Sequence, residues 1–304
     1  MDASTEHILI AGGSGFLGQE LATYFIQQGK EVKILSRRIE KDKVGTFVKW
    51  DAQNLGDWVA EIEWADVLIN LTGKSVNCRY TEQAKQEILS SRIESTQVLC
   101  KALSQATNPP HIWINSSSAS TYIHSESQQM TEDEGIIGDD FSMNVCKAWE
   151  AEFFKCNLNH TRRVATRTSI VLGKSGGAYP IMTRLVKCFL GGRQGNGQQF
   201  ISWIHVEDFC RAMDFIIDNP AIVGPVNVTS PTPVRNSEFM RLLRKRHKRP
   251  FGLSQSRSLL EFGAKIIGTE TEMVMKSRNV IPERLTENDF SFKFSNLDLT
   301  FKSL

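Results

Sequence analysis

The 304-residue sequence predicts an α/β protein: a doubly wound parallel sheet joined to a smaller, mostly helical C-terminal domain. Three observations predict it. Short apolar runs of strand length alternate with helical stretches through the first two-thirds of the chain, the pattern of a parallel sheet covered on both faces. The first run, Ile8-Leu9-Ile10-Ala11, leads into glycines at 12, 13, 15 and 18 and then an amphipathic stretch. After Gly173 the alternation stops, and glycine-rich and helical segments replace it.

Taken in order, the predicted strands fall at about 7–11, 31–36, 46–50, 66–71, 111–116 and 163–171, and the helices near 16–29, 81–106, 141–157 and 178–190. Within 81–106, Ala84, Ile88, Ile93, Val98, Leu99 and Leu103 recur near helical spacing, and Pro109-Pro110 separate that helix from the next strand. Residues 191–200 read as a loop or hairpin over the carboxyl edge of the sheet. A helix at about 207–218 and a short strand at 225–228 follow. The remainder is mostly helical, with a break at Pro282 and a Phe-rich end at Phe290, Phe292 and Phe294.

Strand, glycine turn and helix together form a cradle for a dinucleotide pyrophosphate. Gly12 permits the tight turn, Gly15 lets backbone approach phosphate, and Gly18 lets helix and strand pack closely. Phe16 and Leu17 open the helix, whose free N–H groups and partial positive charge favour an anion. The predicted organisation is therefore residues 1–173 with 196–228 as the nucleotide-binding domain, and 174–195 with 229–304 as a small substrate-side domain.

The second strand ends in Ser36-Arg37-Arg38, where proteins of this type that bind NAD usually place an acidic residue. Two guanidiniums and a hydroxyl suit a 2′-phosphate instead, so NADP(H) is the expected cofactor. Asp51, after the third strand, either borders the adenine or caps a following helix. The fourth strand exits through Leu71-Thr72-Gly73, small enough for backbone to pass close to the ribose and phosphates. Glu87 and Arg92, five residues apart on the next helix, do not share one face, so a simple intrahelical pair is not forced.

The bulk composition agrees with a soluble, cytoplasmic protein. Hydrophobic residues make up 40% and charged residues 23%, and the net charge of +2 gives no global attraction to nucleic acid or membrane. No apolar run approaches the length of a membrane span, and Met1 to His7 lack a signal-peptide core. Cysteines 78, 100, 146, 156, 188 and 210 form no Cys-x-x-Cys pair, so reduced thiols and no metal site are expected. The run Arg241 to Arg249 is strongly basic and reads as the solvated face of a helix.

Three motifs give the chain a resemblance to the extended short-chain dehydrogenase/reductase superfamily: Gly12-x-x-Gly15-x-x-Gly18, Asn70-Leu71-Thr72-Gly73, and Ser116 to Tyr122. More narrowly it resembles the atypical, sugar-nucleotide-epimerase-like branch. That likeness runs through Ser90 to Thr96, Val145 to Glu150, Arg167 to Gly173, Ser202 to Asp208 and Val280 to Leu285. The resemblance implies cofactor contacts at Ser36, Arg37, Leu71, Thr72, Glu87, Arg92 and Val171 besides the glycine turn, with Arg92 reaching a phosphate and Glu87 a ribose hydroxyl.

Extended members usually carry Tyr-x-x-x-Lys on the helix after the Ser-rich strand, the lysine lowering the tyrosine pKa and the tyrosine exchanging the proton. Here the residues four beyond Tyr24, Tyr80, Tyr122 and Tyr179 are Gln28, Ala84, Glu126 and Thr183, so the pair is absent. Anchored on Glu150, the register puts Ser142 and Cys146 in its place. Ser118 and Tyr122 are then the candidate catalytic residues; His124 and His205 read as solvated and core histidines respectively. The expected function is NADP(H)-dependent oxidoreduction, or epimerase-like chemistry, on a small polar substrate, with a nucleotide sugar suggested by the resemblance. The alternative is a non-catalytic NADP(H) sensor.

Overall fold

The computed structural model describes residues 5–267, 270 and 275–304. Its centre is a seven-stranded sheet built from β1 (His7–Ala11), β2 (Glu31–Ser36), β3 (Thr46–Lys49), β4 (Val67–Asn70), β5 (Ile112–Ser118), β6 (Arg162–Thr168) and β10 (Gly224–Val228). The strand order is β10-β6-β5-β4-β1-β2-β3, and every pairing is parallel. Parallel strands are buried on both faces, which is why their sequences are nearly unbroken apolar runs.

Successive side chains leave the sheet in opposite directions and found two cores. Ile8, Ile10, Ile34, Ile69 and Ile114 pack on one face with Leu21 and Phe25 of α1 (Phe16–Gln27) and with Phe209, Met213 and Ile216 of α6 (Val206–Asp218). Leu9, Leu35, Leu68 and Trp113 pack on the other with Leu99 and Leu103 of α3 (Glu82–Gln105) and Phe153 of α4 (Phe141–Lys155). Thr81 caps α3, its Oγ1 accepting from the Ala84 N–H at 3.1 Å, and Asp140 caps α4 through the Met143 N–H at 3.2 Å.

The predicted strand over 163–171 is two strands. β6 ends at Thr168, and after Ser169 the chain leaves the sheet as β7 (Ile170–Leu172), which pairs in parallel with β9 (Trp203–His205). A short 3-10 turn (Asp57–Val59) and the five-residue α2 (Ala60–Trp64) also form, below the length at which periodicity shows in a sequence. The loop before β8 (Phe200–Ile201) turns on Gly195 and Gly197, both at positive φ, and β8 pairs with β11 (Val234–Arg235).

A third core joins α5 (Ala178–Lys187), α7 (Asn236–Arg246) and α10 (Leu297–Ser303) through Tyr179, Val186, Phe239, Leu243 and Phe301, with Trp203 at its centre. The C-terminal segment also returns to the first core through Leu285 of α9 (Glu283–Glu287) and Phe290. The basic run on α7 is a solvated face pinned locally: Arg241 pairs with Glu238, Lys245 with Asp298, and Arg244 donates to the Gly191 carbonyl. α8 (Arg257–Ile267) lies between α7 and this return.

The expectation of six reduced thiols is corrected. Cys100 on α3 and Cys156 at the end of α4 form a disulfide, with Cα atoms 5.9 Å apart. The two helices lie side by side on one face of the sheet, bringing together cysteines 56 residues apart, a proximity no local spacing reveals. Among the described residues no helix is long and apolar enough to cross a membrane.

Candidate cofactor and substrate site

The glycine turn sits at the carboxyl end of β1, where the strand order reverses between β1 and β4, the crevice in which open α/β sheets bind ligands. Each glycine has its own reason there. Gly12 has φ +74°, and a Cβ on it would stand 2.8 Å from the Thr72 Cα. A Cβ on Gly18 would stand 2.3 Å from the Gly13 Cα, so helix and turn meet backbone to backbone. A Cβ on Gly15 would meet nothing within 4 Å. Gly15 is also the N-cap of α1, where no side chain caps the helix and no acidic residue stands in the first turn. The N–H groups of that turn therefore face open space with their partial positive charge unanswered.

Beside this turn, Ser36 is buried and its Oγ accepts from the Arg38 N–H at 3.3 Å. Arg37 and Arg38 are exposed, and among the described residues neither guanidinium has a carboxylate partner. The following loop is tied onto the turn. Gln19 accepts from the Val44 N–H at 2.9 Å and donates to the Gly13 carbonyl at 3.1 Å, and Lys43 donates to the Ser14 carbonyl at 2.9 Å. Lys43 is a cation at the turn that sequence reasoning missed. Thr72, whose N–H donates to Asn70 Oδ1 at 3.0 Å, has a buried Oγ1 that among the described residues finds no hydrogen-bond partner. Thr72 packs against Gly12, and its neighbours Leu71 and Gly73 line the crevice.

Two predicted contacts have partners within the protein. Asp51 Oδ2 accepts from the Asn54 side-chain amide and Oδ1 from the Asn54 and Gln53 N–H groups, each at 2.8 Å, and these bonds, the Asn54 side-chain bond first, lower its pKa. These bonds close the turn after β3 and not the start of a helix, and Asp51 stays exposed. Glu87 is bound by Lys74 and by Gln83, and the Lys74 bond lowers its pKa.

Between the sheet edge and the C-terminal segment lies a cavity of about 560 Å³. Phe16, Leu17 and Val171 line it beside the glycine turn, and Ser118, Ser142 and Cys146 stand along its wall. Ser118 Oγ accepts from the Ser120 N–H at 3.1 Å, capping the 3-10 turn at Ala119–Thr121. Burial pushes the Cys146 thiol up to about 12, so it is neutral at physiological pH. Tyr80, Gln194, Lys276 and Arg278 also line the cavity; Gln194 belongs to the 191–200 loop that the sequence places over the carboxyl edge of the sheet, whereas Tyr80, Lys276 and Arg278 were not foreseen. Lys276 and Arg278 approach from a segment more than a hundred residues distant, whereas Tyr80, on the exit loop of β4, lies where such sites are built.

Arg92 enters the cavity from α3 beneath Gly73, over the Trp149 ring at 5.0 Å. Its Nη1 donates to the Ile88 and Lys74 carbonyls at 2.7 and 3.1 Å. Burial pulls its pKa below the usual arginine value, but a guanidinium stays charged. Among the described residues no aspartate or glutamate lines this cavity.

Tyr122 as a catalytic residue is corrected. The 3-10 turn after Ser118 rotates it into the core, where it is 0% exposed. Its hydroxyl donates to Asn227 Oδ1 at 2.9 Å and accepts from Arg167 Nη1 at 2.8 Å, so it faces no substrate. Burial raises its pKa. Tyr122→Phe is expected to cost about 1–2 kcal/mol in chemical unfolding and to leave cofactor affinity unchanged. His205 is likewise structural: its Nδ1 accepts from the Glu207 N–H at 3.0 Å and its ring stacks on Phe294 at 3.8 Å. His124 Nδ1 accepts from the Ser277 N–H at 2.9 Å.

A doubly wound parallel sheet with an uncapped glycine turn at its switch point defines an NAD(P)-binding protein of the Rossmann class. More narrowly, the chain belongs to the NAD dependent epimerase/dehydratase family, whose model matches residues 8–228; a domain of unknown function, DUF1731, matches residues 261–304. It is 34% identical over 300 residues to the epimerase family protein YfhF of Bacillus subtilis, covering 98% of this chain and 97% of that one. It is 32% identical over 301 residues to the epimerase family protein SH2119 of Staphylococcus haemolyticus, covering 98% and 99%. The structure of the human epimerase family protein SDR39U1 with NADPH superposes with a TM-score of 0.86 at 28% identity, covering 98% of each chain.

Proposed function

We propose that this protein is an NADP(H)-dependent oxidoreductase or epimerase-like enzyme acting on a small polar substrate. The observation that carries the cofactor choice is the pair of exposed, unpartnered guanidiniums of Arg37 and Arg38 beside the uncapped N-terminus of α1. A 2′-phosphate is the group that pair suits, since guanidinium offers a planar, always-charged donor fork. The open space at Gly15 and the orphaned Thr72 Oγ1 fit the rest of a dinucleotide along the same crevice. The human relative solved with NADPH supports the same reading.

Bound there, the cofactor supplies hydride at its nicotinamide ring. In this reading the first turn of α1 holds the pyrophosphate, and Ser36, Arg37 and Arg38 hold the 2′-phosphate. Leu71, Thr72, Gly73 and Val171 shape the passage to the cavity, where Ser118 orients the substrate. The substrate is polar and compatible with a wall whose described residues include Lys74, Arg92, Lys276 and Arg278 and no carboxylate, and a nucleotide sugar is one such molecule. Gly15→Ala is expected to weaken NADPH binding at least about tenfold while costing no more than about 1 kcal/mol in unfolding, because its methyl occupies space the protein leaves open. Isothermal titration beside urea unfolding checks both halves.

The absent Tyr-x-x-x-Lys pair favours a second reading, a sensor that binds NADP(H) without turnover. Following NADPH absorbance against a panel of carbonyl compounds and nucleotide sugars separates the two: oxidation of NADPH supports the enzyme, and inactivity throughout with tight NADPH binding supports the sensor.

A further inference from the structure

Residues 37–45 join β2 to β3, two parallel neighbours, with no helix between them. A parallel crossover usually carries a helix that packs it onto the sheet, so this loop needs another fastening. One side chain of α1 provides it. Gln19 Oε1 accepts from the Val44 N–H at 2.9 Å, and its Nε2 donates to the Gly13 and Val44 carbonyls at 3.1 and 3.3 Å. The end of the loop is thereby fixed on the glycine turn.

The loop carries four cations, Arg37, Arg38, Lys41 and Lys43, and two carboxylates, Glu40 and Asp42. Lys43 is the cation bonded to the turn, its Nζ donating to the Ser14 carbonyl at 2.9 Å. Ser14 precedes Gly15, where a Cβ would meet nothing within 4 Å. Glu40 Oε1 stands 3.8 Å from the Lys43 Nζ, beyond hydrogen-bond length, and the two side chains are 39% and 37% exposed. An ammonium has three protons, and the Ser14 carbonyl takes one of them. Among the described residues the other two have no hydrogen-bond partner.

The two arginines start from the same place. The Gly12 N–H donates to the Leu35 carbonyl at 2.9 Å, so the turn lies against the end of β2, and Ser36 Oγ holds the Arg38 N–H. An anion between the turn and the end of β2 has the arginines on its strand side and the Lys43 ammonium on its turn side.

We infer, on the NADP(H) reading above, that Lys43 is a third cation for the adenosine 2′-phosphate and a determinant of NADP(H) over NAD(H). A phosphate monoester carries about −1.5 to −2 charges at neutral pH, so two arginines do not exhaust what it attracts. The arginines bring planar forks on mobile, exposed stems, whereas the lysine brings a compact charge already anchored on the turn. Anchoring before the cofactor arrives removes part of the ordering cost of the contact. A 2′-hydroxyl offers no such charge, so the ammonium favours one cofactor over the other.

The test is isothermal titration of NADPH and NADH into the wild-type protein, Lys43→Met and Lys43→Arg at one low ionic strength. Lys43→Met is expected to weaken NADPH about tenfold and to leave NADH within about threefold of wild type. Lys43→Arg keeps the charge and is expected to hold NADPH within about threefold. Adenosine 2′,5′-bisphosphate and 5′-AMP differ by the 2′-phosphate alone, and only the first is expected to weaken in Lys43→Met. Where urea unfolding shows Lys43→Met to be damaged, Lys43→Gln replaces it. Equal weakening of NADPH and NADH, or no weakening of either, overturns the role of Lys43. The wild-type arm keeps the two readings apart. A wild type that prefers NADPH beside an indifferent Lys43→Met overturns Lys43 alone, whereas a wild type without that preference overturns the NADP(H) reading as well.

Discussion

Glu150→Leu is expected to lower the free energy of unfolding by about 3–5 kcal/mol, measured by urea denaturation. Glu150 and Arg167 form a buried ion pair beneath the Ser-rich end of β5, with side chains 11% and 8% exposed. Arg167 Nε and Nη2 donate to the two carboxylate oxygens at 2.9 and 2.7 Å, and Ser117 Oγ donates to Oε1 at 2.6 Å. Arg167 Nη1 reaches on to the Tyr122 hydroxyl. Leucine fills the volume but strands a guanidinium that Glu150 holds well above the usual arginine range. The penalty is that of an uncompensated buried charge rather than the net value of the pair, so Glu150→Leu combined with Arg167→Met is expected to recover much of the loss. A single-variant loss below about 1 kcal/mol contradicts this role for the pair.

The second large effect is on cofactor choice. Arg37→Ala with Arg38→Ala is expected to weaken NADPH about 100-fold and to leave NADH within about threefold of its wild-type affinity. A charge-assisted hydrogen bond is worth about 1.5–3 kcal/mol, and exposure of both side chains brings each to about 1.4 kcal/mol, a factor of ten. Because the contact is to phosphate alone, the two cofactors must respond unequally. Equal weakening of both means the arginines shape the loop and do not read the 2′-phosphate.

The sheet was legible because parallel strands are buried on both faces: Ile8 to Ala11 and Val67 to Asn70 have no solvent-facing residue to interrupt the run. The glycine turn was legible because each glycine answers a local demand, as the near-contacts of Gly12 and Gly18 show. Features set by distant packing were not. The Cys100–Cys156 bridge depends on α3 lying beside α4, and the break at Ser169 depends on β9 arriving to pair with β7. Tyr122 misled for a local reason: four residues after Ser118 it looked aligned with the serine, but the intervening 3-10 turn sends it to Asn227 and Arg167.

In the proposed function the crevice at the glycine turn takes a dinucleotide and reads its 2′-phosphate through Arg37 and Arg38. Isothermal titration of the unmodified protein with NADPH and NADH at one ionic strength tests it most directly. The predicted result is saturable binding of both at a single site, with NADPH tighter by at least about tenfold and the difference shrinking as salt is added. Equal affinities at low salt, or no binding of either, contradict it.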